Sequence, residues 1–298
     1  MQPVNRNQVG LTVGRQEHGQ TLQHFLAARL DVSRRYAKEL LDARLVWVNR
    51  QCVWMAHHAL HAGDVVEART SVSPVATTHL RVLSETDRYL FVDKPAGIVS
   101  VGPGGAEERL REQLKDLELR CVHRLDRDTS GCLLVARDAS AFDAAVSVFK
   151  TRRVIKVYEA IVAGRVTQAV STIDLPLDGE RARTHVKRLM YNDDATFVRV
   201  RIETGRTHQI RLHLAAVRHP VLGDREHGLK FARDPRLTRV PRQMLHALEL
   251  ELDDPTGRGR LRAHSPLPAD FRRSLQIFGL GRTGRLRAPA AKRESRKR

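Results

Sequence analysis

The sequence predicts an α+β protein, a mixed and mostly antiparallel sheet with helices set on it, preceded by a small α/β domain. Three observations predict this class. The runs YLFV, CLLVA, VIKVYEAIVAG and TFVRVRIE, all between residues 81 and 205, alternate with period two or are continuously apolar, as strands do. Helical spacing appears only in short stretches between them, at 106–117, at 139–150 and from Thr207 through Ile210, Leu214 and Val217. The segment SVSPVATTH is polar, β-branched and carries a proline, so it separates a front module, residues 11–70, from a larger domain, residues 81–280, by a linker at 71–80.

In the front module Thr21 is placed to cap a helix whose Leu22, Phe25, Leu26 and Leu30 fall on one face. Ser33 is placed to cap a second helix carrying Ala37, Leu40 and Leu41 inward and Arg34 and Lys38 outward. LVWVNRQCVW then reads as two short strands joined at Asn49-Arg50, and HAGDVVEA as a Gly-Asp turn into a last strand. In the larger domain DKPAG is a turn after YLFV. The strand VIKVYEAIVAG puts Val154, Lys156, Tyr158, Ala160 and Val162 on one side. A strand ending near Ile202 turns at Gly205 and delivers Arg206, His208 and Arg211 to the first turn of a helix.

Composition narrows the function. With 41% hydrophobic and 29% charged residues the chain is globular, and 52 Lys+Arg against 34 Asp+Glu give a net charge of +18. Such a charge predicts a polyanionic partner, with nucleic acid the default. No run of about 18 apolar residues is present and MQPVNRNQVG has no signal-peptide core, so no membrane partner and a cytoplasmic location are expected. Three cysteines without a C-x-x-C pair support neither a disulfide framework nor a cysteine zinc site. The stretch after residue 281 has eight basic residues and one acid and reads as a disordered basic tail. Its GLGRTG is followed by only 14 residues, too few for a dinucleotide-binding unit.

The stretch HRLDRDTSG, His123 to Gly131, precedes the strand GCLLVA and so reads as a loop at a sheet edge. Aspartates in such loops commonly form Asx turns. Chemistry would require a cation beside the carboxylate, an aromatic surface and basic residues for phosphate. Arg211, Tyr158 and the many arginines are candidates.

Two resemblances give these residues roles. TLQHFLAARLDVSRRYAKELLDARLVWVNRQCV with AGDVVEA resembles the small RNA-binding domain first described in ribosomal protein S-four, over about residues 11–70. That resemblance implies phosphate contacts for Ser33, Arg34, Arg35, Lys38 and Arg44, although Ala43-Arg44 stands where the family usually has glycine. HRLDRDTSG, with DKPAG, KVYEAIVAG, GRTHQIRLHLAAVRHPVLGD and LHALELEL in family order, resembles the motif set of the RluA-type pseudouridine synthases over residues 81–270. The resemblance implies the pseudouridine synthase fold and a cofactor-independent isomerisation of uridine. It implies Asp126 as the catalytic carboxylate, Arg211 as its partner and Tyr158 against the base. It further implies RNA contacts from Arg124, which would fill the space the flipped base vacates, and from Arg206 and His208.

Neither a cofactor nor a metal site is expected, and the protein is expected to be a monomer. Large-subunit ribosomal RNA is the expected substrate, with transfer RNA, or an inactive RNA-binding relative, as alternatives. A zinc deaminase would need H-x-E with P-C-x-x-C, and neither is present. His57, His58 and His61 read as a solvated loop. His227, in GDREHG, replaces a tyrosine common in this family and is expected to concern packing beyond the site.

Overall fold

In a computed structural model the chain forms two compact units, residues 1–78 and 79–298. The structure describes residues 8–42, 45–49, 51–53, 55–69, 79–151, 153–228, 240–257 and 259–281. The polar segment 71–78, Arg44, the Arg35 side chain and the tail after residue 281 lie outside them.

The first unit packs α1 (Leu22–Arg29) and α2 (Arg34–Asp42) on a four-stranded antiparallel sheet. Its strands are β1 (Gln8–Thr12), β2 (Val46–Val48), β3 (Gln51–Cys52) and β4 (Val65–Arg69), in the order β1-β4-β2-β3. Leu22, Phe25 and Leu26 of α1 and Ala37, Leu40 and Leu41 of α2 fill one core with Val46, Val66 and Leu60. Strand β1 adds to the hairpin read from the sequence. It starts at Gln8, where Gly10 and flanking polar residues disguise the alternation, and it pairs with β4 along five residues. Ser33 caps α2, its Oγ accepting from the Tyr36 N–H at 3.1 Å, whereas the Thr21 side chain makes no cap hydrogen bond.

The second unit is built on ten strands: β5 (Arg81–Glu85), β6 (Tyr89–Lys94), β7 (Arg120–Cys121), β8 (Ser130–Ala136), β9 (Ile155–Ala163), β10 (Val170–Asp174), β11 (Arg183–Tyr191), β12 (Ala195–Ile202), β13 (Leu245–Asp253) and β14 (Arg260–His264). The sheet order is β10-β11-β12-β9-β13-β8-β6-β5, with β14 on β13 and β7 on β8. Only the β8–β13 pairing is parallel among those described. Among the described residues four helices complete the unit: α3 (Ala106–Leu114), α4 (Ala139–Lys150), α5 (Gln209–Ala216) and α6 (Ala269–Ile277).

Period-two alternation divides the apolar side chains between cores on the two faces. In β6, Leu90 and Val92 enter one core while Tyr89 and Phe91 enter the other. In β8, Leu133 and Val135 join the first and Cys132 and Leu134 the second, which is why all seven β8 residues are buried. Leu110 of α3 and Ile210 and Leu214 of α5 cover the first face, and Ala141 and Ala145 of α4 the second. Phe271 and Leu275 of α6 seal a further cluster around Ile161, Leu222 and Met244. Helix α3 ends at Leu114, three residues before the expected limit, because Lys115 turns left-handed with φ 55°. Cys121 and Cys132 are buried free thiols.

Strand register decides what meets at the site. Ala247 of β13 lies beside Gly131 of β8 on one side and Tyr158 of β9 on the other. Tyr158 in turn opposes Val200 of β12, two residues before that strand ends. The loop before β8, the middle of β9 and the turn after β12 are thereby drawn together. Gly131 is required there. Its φ is 118°, and a Cβ would stand 2.1 Å from the Ala247 carbonyl oxygen.

Candidate active site

The loop His123–Thr129 is held from several directions. Ser100 Oγ donates to the Leu125 carbonyl at 3.1 Å and accepts from the Leu125 N–H at 2.8 Å. Lys94, fully buried, donates to the carbonyls of Pro95, Ile98 and Arg127 at 2.8–3.1 Å. Burial pushes the Lys94 ammonium down to about 7, yet three acceptors in reach match its three protons. The Thr129 N–H closes the turn onto the Asp126 carbonyl at 3.1 Å. Arg242, itself buried and paired with Asp270, adds a hydrogen bond to the Asp128 carbonyl at 3.0 Å.

His123 has a structural task. Its Nε2 accepts from the Leu134 N–H at 3.1 Å, and its ring stacks on Phe149 with centroids 5.2 Å apart. Desolvation, helped by the nearby Lys156 charge, pushes it down to about 3. A ring that must stay neutral to accept that hydrogen bond ties the loop to β8.

Arg211 projects from the first turn of α5. Its Nη1 meets Asp126 Oδ2 at 3.1 Å, its Nε and Nη2 meet both oxygens of Asp224 at 2.6 and 2.9 Å, and Nη2 also meets Glu226 Oε2 at 2.8 Å. Burial opposes the Arg211 charge, but the Asp224 hydrogen bonds and charge outweigh it and raise the arginine above its ordinary value. The Asp224 carboxyl, also desolvated, is nonetheless held low by Arg211. Its Oδ1 further accepts the backbone N–H groups of Glu226 and His227, both at 3.1 Å, which folds residues 224–228 back toward the start of α5.

Asp126, Tyr158 and Arg211 line one cavity of about 210 Å³, together with Arg124, Arg206 and His208. Leu125, Ile202, Ile210 and Leu245 supply apolar wall. Burial first, then the Asp126 charge, push the Tyr158 phenol up, so it remains protonated. Arg124 is exposed at the rim. Arg206 is engaged with Glu180 through an ion pair. The residues expected to bind RNA from the front module belong to the first unit, where Ser33, Arg34 and Lys38 are exposed on and before α2.

Several residues of the site escaped the sequence reading. Asp224 and Glu226 share Arg211 with Asp126, and Phe149 and Lys156 line the cavity. Asp224 and Glu226 lie 13 and 15 residues after Arg211, so only the fold of the intervening turn reveals them. One expectation is corrected. His227 does not lie beyond the site: its Nε2 is 2.9 Å from His208 Nδ1, because the Asp224 turn carries it there. Glu226 Oε2 stands 3.7 and 3.8 Å from the same two nitrogens, so this trio is the group of described side chains able to share a metal ion.

Residues 88–216 match the family model described as RNA pseudouridylate synthase. The chain is also 32% identical to ribosomal large subunit pseudouridine synthase D of Nitrosomonas europaea, over 92% of this chain and 89% of the relative. The chain belongs to the RluA-type family of RNA pseudouridine synthases. Within this family, synthase D of Pseudomonas aeruginosa is 35% identical over 64% of this chain and 69% of its own length. The solved structure of human RNA pseudouridylate synthase domain containing 1 superposes with a TM-score of 0.56 at 28% identity, covering 65% of this chain and 85% of that one. The pseudouridine synthase fold and an RNA substrate follow. A chain of this family isomerises uridine, and its cavity presents one carboxylate paired with a guanidinium, with the Tyr158 ring among the lining residues.

Proposed function

We propose that this pseudouridine synthase modifies specific uridines of large-subunit ribosomal RNA in the cytoplasm, with Asp126 as its catalytic carboxylate. The observation that carries the assignment is the Asp126–Arg211 ion pair at 3.1 Å in the cavity that Tyr158 also lines. The named activities of the bacterial relatives support ribosomal RNA as substrate.

The target uridine must leave its stack to reach the cavity, at a cost of a few kcal/mol. Arg124 would occupy the space it vacates, and Arg206 and His208 would contact the flanking RNA; that all three line the cavity supports this reading. Asp126 then either stabilises or attacks the sugar carbon, or adds to the uracil ring. The bond from the sugar to N1 breaks, the uracil turns, and a bond from the sugar to C5 forms. The proton lost from C5 balances the one gained at N1, so no redox partner and no net water are consumed. Tyr158 supplies a ring for the base to lie against, and its protonated hydroxyl can relay the C5 proton. The first unit acts as an S-four-like RNA-binding domain through Ser33, Arg34, Arg35, Lys38 and Arg44; the exposed basic face of α2 supports this reading.

A site-by-site pseudouridine map of RNA from cells with and without the protein tests the substrate: sites should vanish from large-subunit ribosomal RNA, and loss confined to transfer RNA would refute it. Asp126→Asn should abolish product while leaving RNA affinity within a few-fold, since the amide keeps shape without charge. Activity within tenfold of the parent would remove Asp126 from the mechanism.

A further inference from the structure

His208, at the entry to α5, adopts a left-handed backbone with φ 52°, a conformation costing a non-glycine residue about 1 kcal/mol or more. That conformation points its Nδ1 at His227 and its Nε2 toward Asp126 Oδ1, 3.8 Å away. His208 Nδ1, His227 Nε2 and Glu226 Oε2 form a triangle with sides of 2.9, 3.7 and 3.8 Å. The point equidistant from these three atoms lies about 2.0 Å from each, the bond length of zinc to imidazole nitrogen and carboxylate oxygen.

We propose that His208, Glu226 and His227 bind one transition-metal dication of the zinc class at the rim of the active-site cavity, and that its binding represses turnover. Two imidazoles and one carboxylate are a donor set suited to such ions, and they leave coordination positions open to water. Asp126, Asp224 and Glu226 all converge on Arg211, so three carboxylates face one guanidinium beside these ligands, while Arg124, Lys156 and Arg206 line the adjoining cavity. No ionisation is needed to make the ligands. The ring that donates in the His208–His227 hydrogen bond moves its proton to its other nitrogen, and both facing nitrogens become free to ligate.

Repression follows from the other side of the His208 ring. With the ion on Nδ1, Nε2 must carry the proton, and metal-bound imidazoles characteristically donate that proton to a carboxylate. Asp126 is the carboxylate there. Drawn into that hydrogen bond, it is withdrawn from the substrate. Binding of the ion stands on the three ligands alone, whereas its effect on turnover rests on Asp126 carrying the reaction.

The test uses the full chain stripped with EDTA and titrated with Co²⁺, followed by its visible absorption, and with Zn²⁺ by calorimetry. One ion per chain should bind. His227→Phe should weaken binding at least about tenfold, as should Glu226→Gln, which keeps the side-chain shape at an exposed position while giving up the charge that pairs with Arg211. Replacing His57, His58 and His61 together by alanine should leave it unchanged. Uptake that survives His227→Phe, or that disappears with the three loop histidines, overturns the site. In single-turnover assays Zn²⁺ should slow the parent at least tenfold, EDTA should restore the rate, and His227→Phe should show no zinc-dependent change. Zinc bound at this site with the parent rate unaltered overturns the repression, while the zinc-free Asp126→Asn assay judges the role of Asp126 separately.

Discussion

Asp224 is almost fully buried, and its two oxygens hold the Arg211 guanidinium in a fork that leaves Nη1 free to meet Asp126. Removing one partner of a buried charge pair commonly costs about 3–5 kcal/mol. Asp224→Asn, which keeps the shape and leaves Asp126 and Glu226 on the arginine, should fall at the lower end, about 3 kcal/mol by urea unfolding. A loss under about 1 kcal/mol would show that Asp224 does not organise the site. His123 yields a pH prediction. Its folded value, about 3, lies below the ordinary 6.5, so the unfolded chain binds a proton that the folded chain refuses between those limits. Stability from this residue is therefore complete above pH 6.5 and declines as pH falls toward 3, by at most about 1.4 kcal/mol per unit. His123→Gln can still accept the Leu134 N–H and should flatten the stability profile between pH 6 and 4 by up to about 2 kcal/mol. Parallel profiles for parent and variant would rule the account out. The motif HRLDRDTSG marked Asp126 on the page, but the duty of its histidine depended on which backbone N–H stood opposite.

Strand β8 shows how an element can be legible while its neighbours are not. CLLVA announces a buried strand, because side chains on both of its faces enter cores. Nothing in that run says that β13, more than a hundred residues later, will pair with it in parallel at His246 and Ala247. Gly131 is where this pairing is most demanding. Gly131→Ala sets a Cβ 2.1 Å from a backbone oxygen at φ 118°, so neither rotamer change nor local shift can relieve it cheaply. The substitution should cost about 3 kcal/mol or more and lower the melting temperature by about 6 °C or more, measured calorimetrically. A melt within 1 °C of the parent would mean the strands separate without penalty. The ends of elements were read less well than their centres. Helix α3 stops early at the left-handed Lys115, and α5 starts at Gln209 after a turn locked by hydrogen bonds from Thr204 Oγ1 and the Arg206 N–H to Gln209 Oε1.

At the scale of the molecule, a net charge of +18 is spread over two compact units that carry separate parts of the proposed recognition and chemistry. Asp126, Tyr158 and Arg211 all belong to the second unit, whose cores are made from its own residues. Deleting residues 1–78 should weaken RNA binding and flatten its salt dependence, each lost phosphate contact reducing the log–log slope by about 0.7 to 0.9. Turnover at saturating RNA should stay near the parent value while the concentration for half-maximal rate rises. A folded truncation that loses maximal rate with unchanged affinity would mean that the first unit helps assemble the active site. Composition, periodicity and ordered motifs by themselves determined the α+β class, the polyanionic partner, the family resemblance and the candidates Asp126, Tyr158 and Arg211, because each depends on residue type or on spacing within one element. Tertiary structure alone decided that Asp224 and Glu226 share Arg211, that His123 must stay neutral and that His227 reaches His208. Those relations join segments whose separation in the chain carries no periodic signal, and they exist only where strand register and one tight turn bring the side chains within hydrogen-bond range.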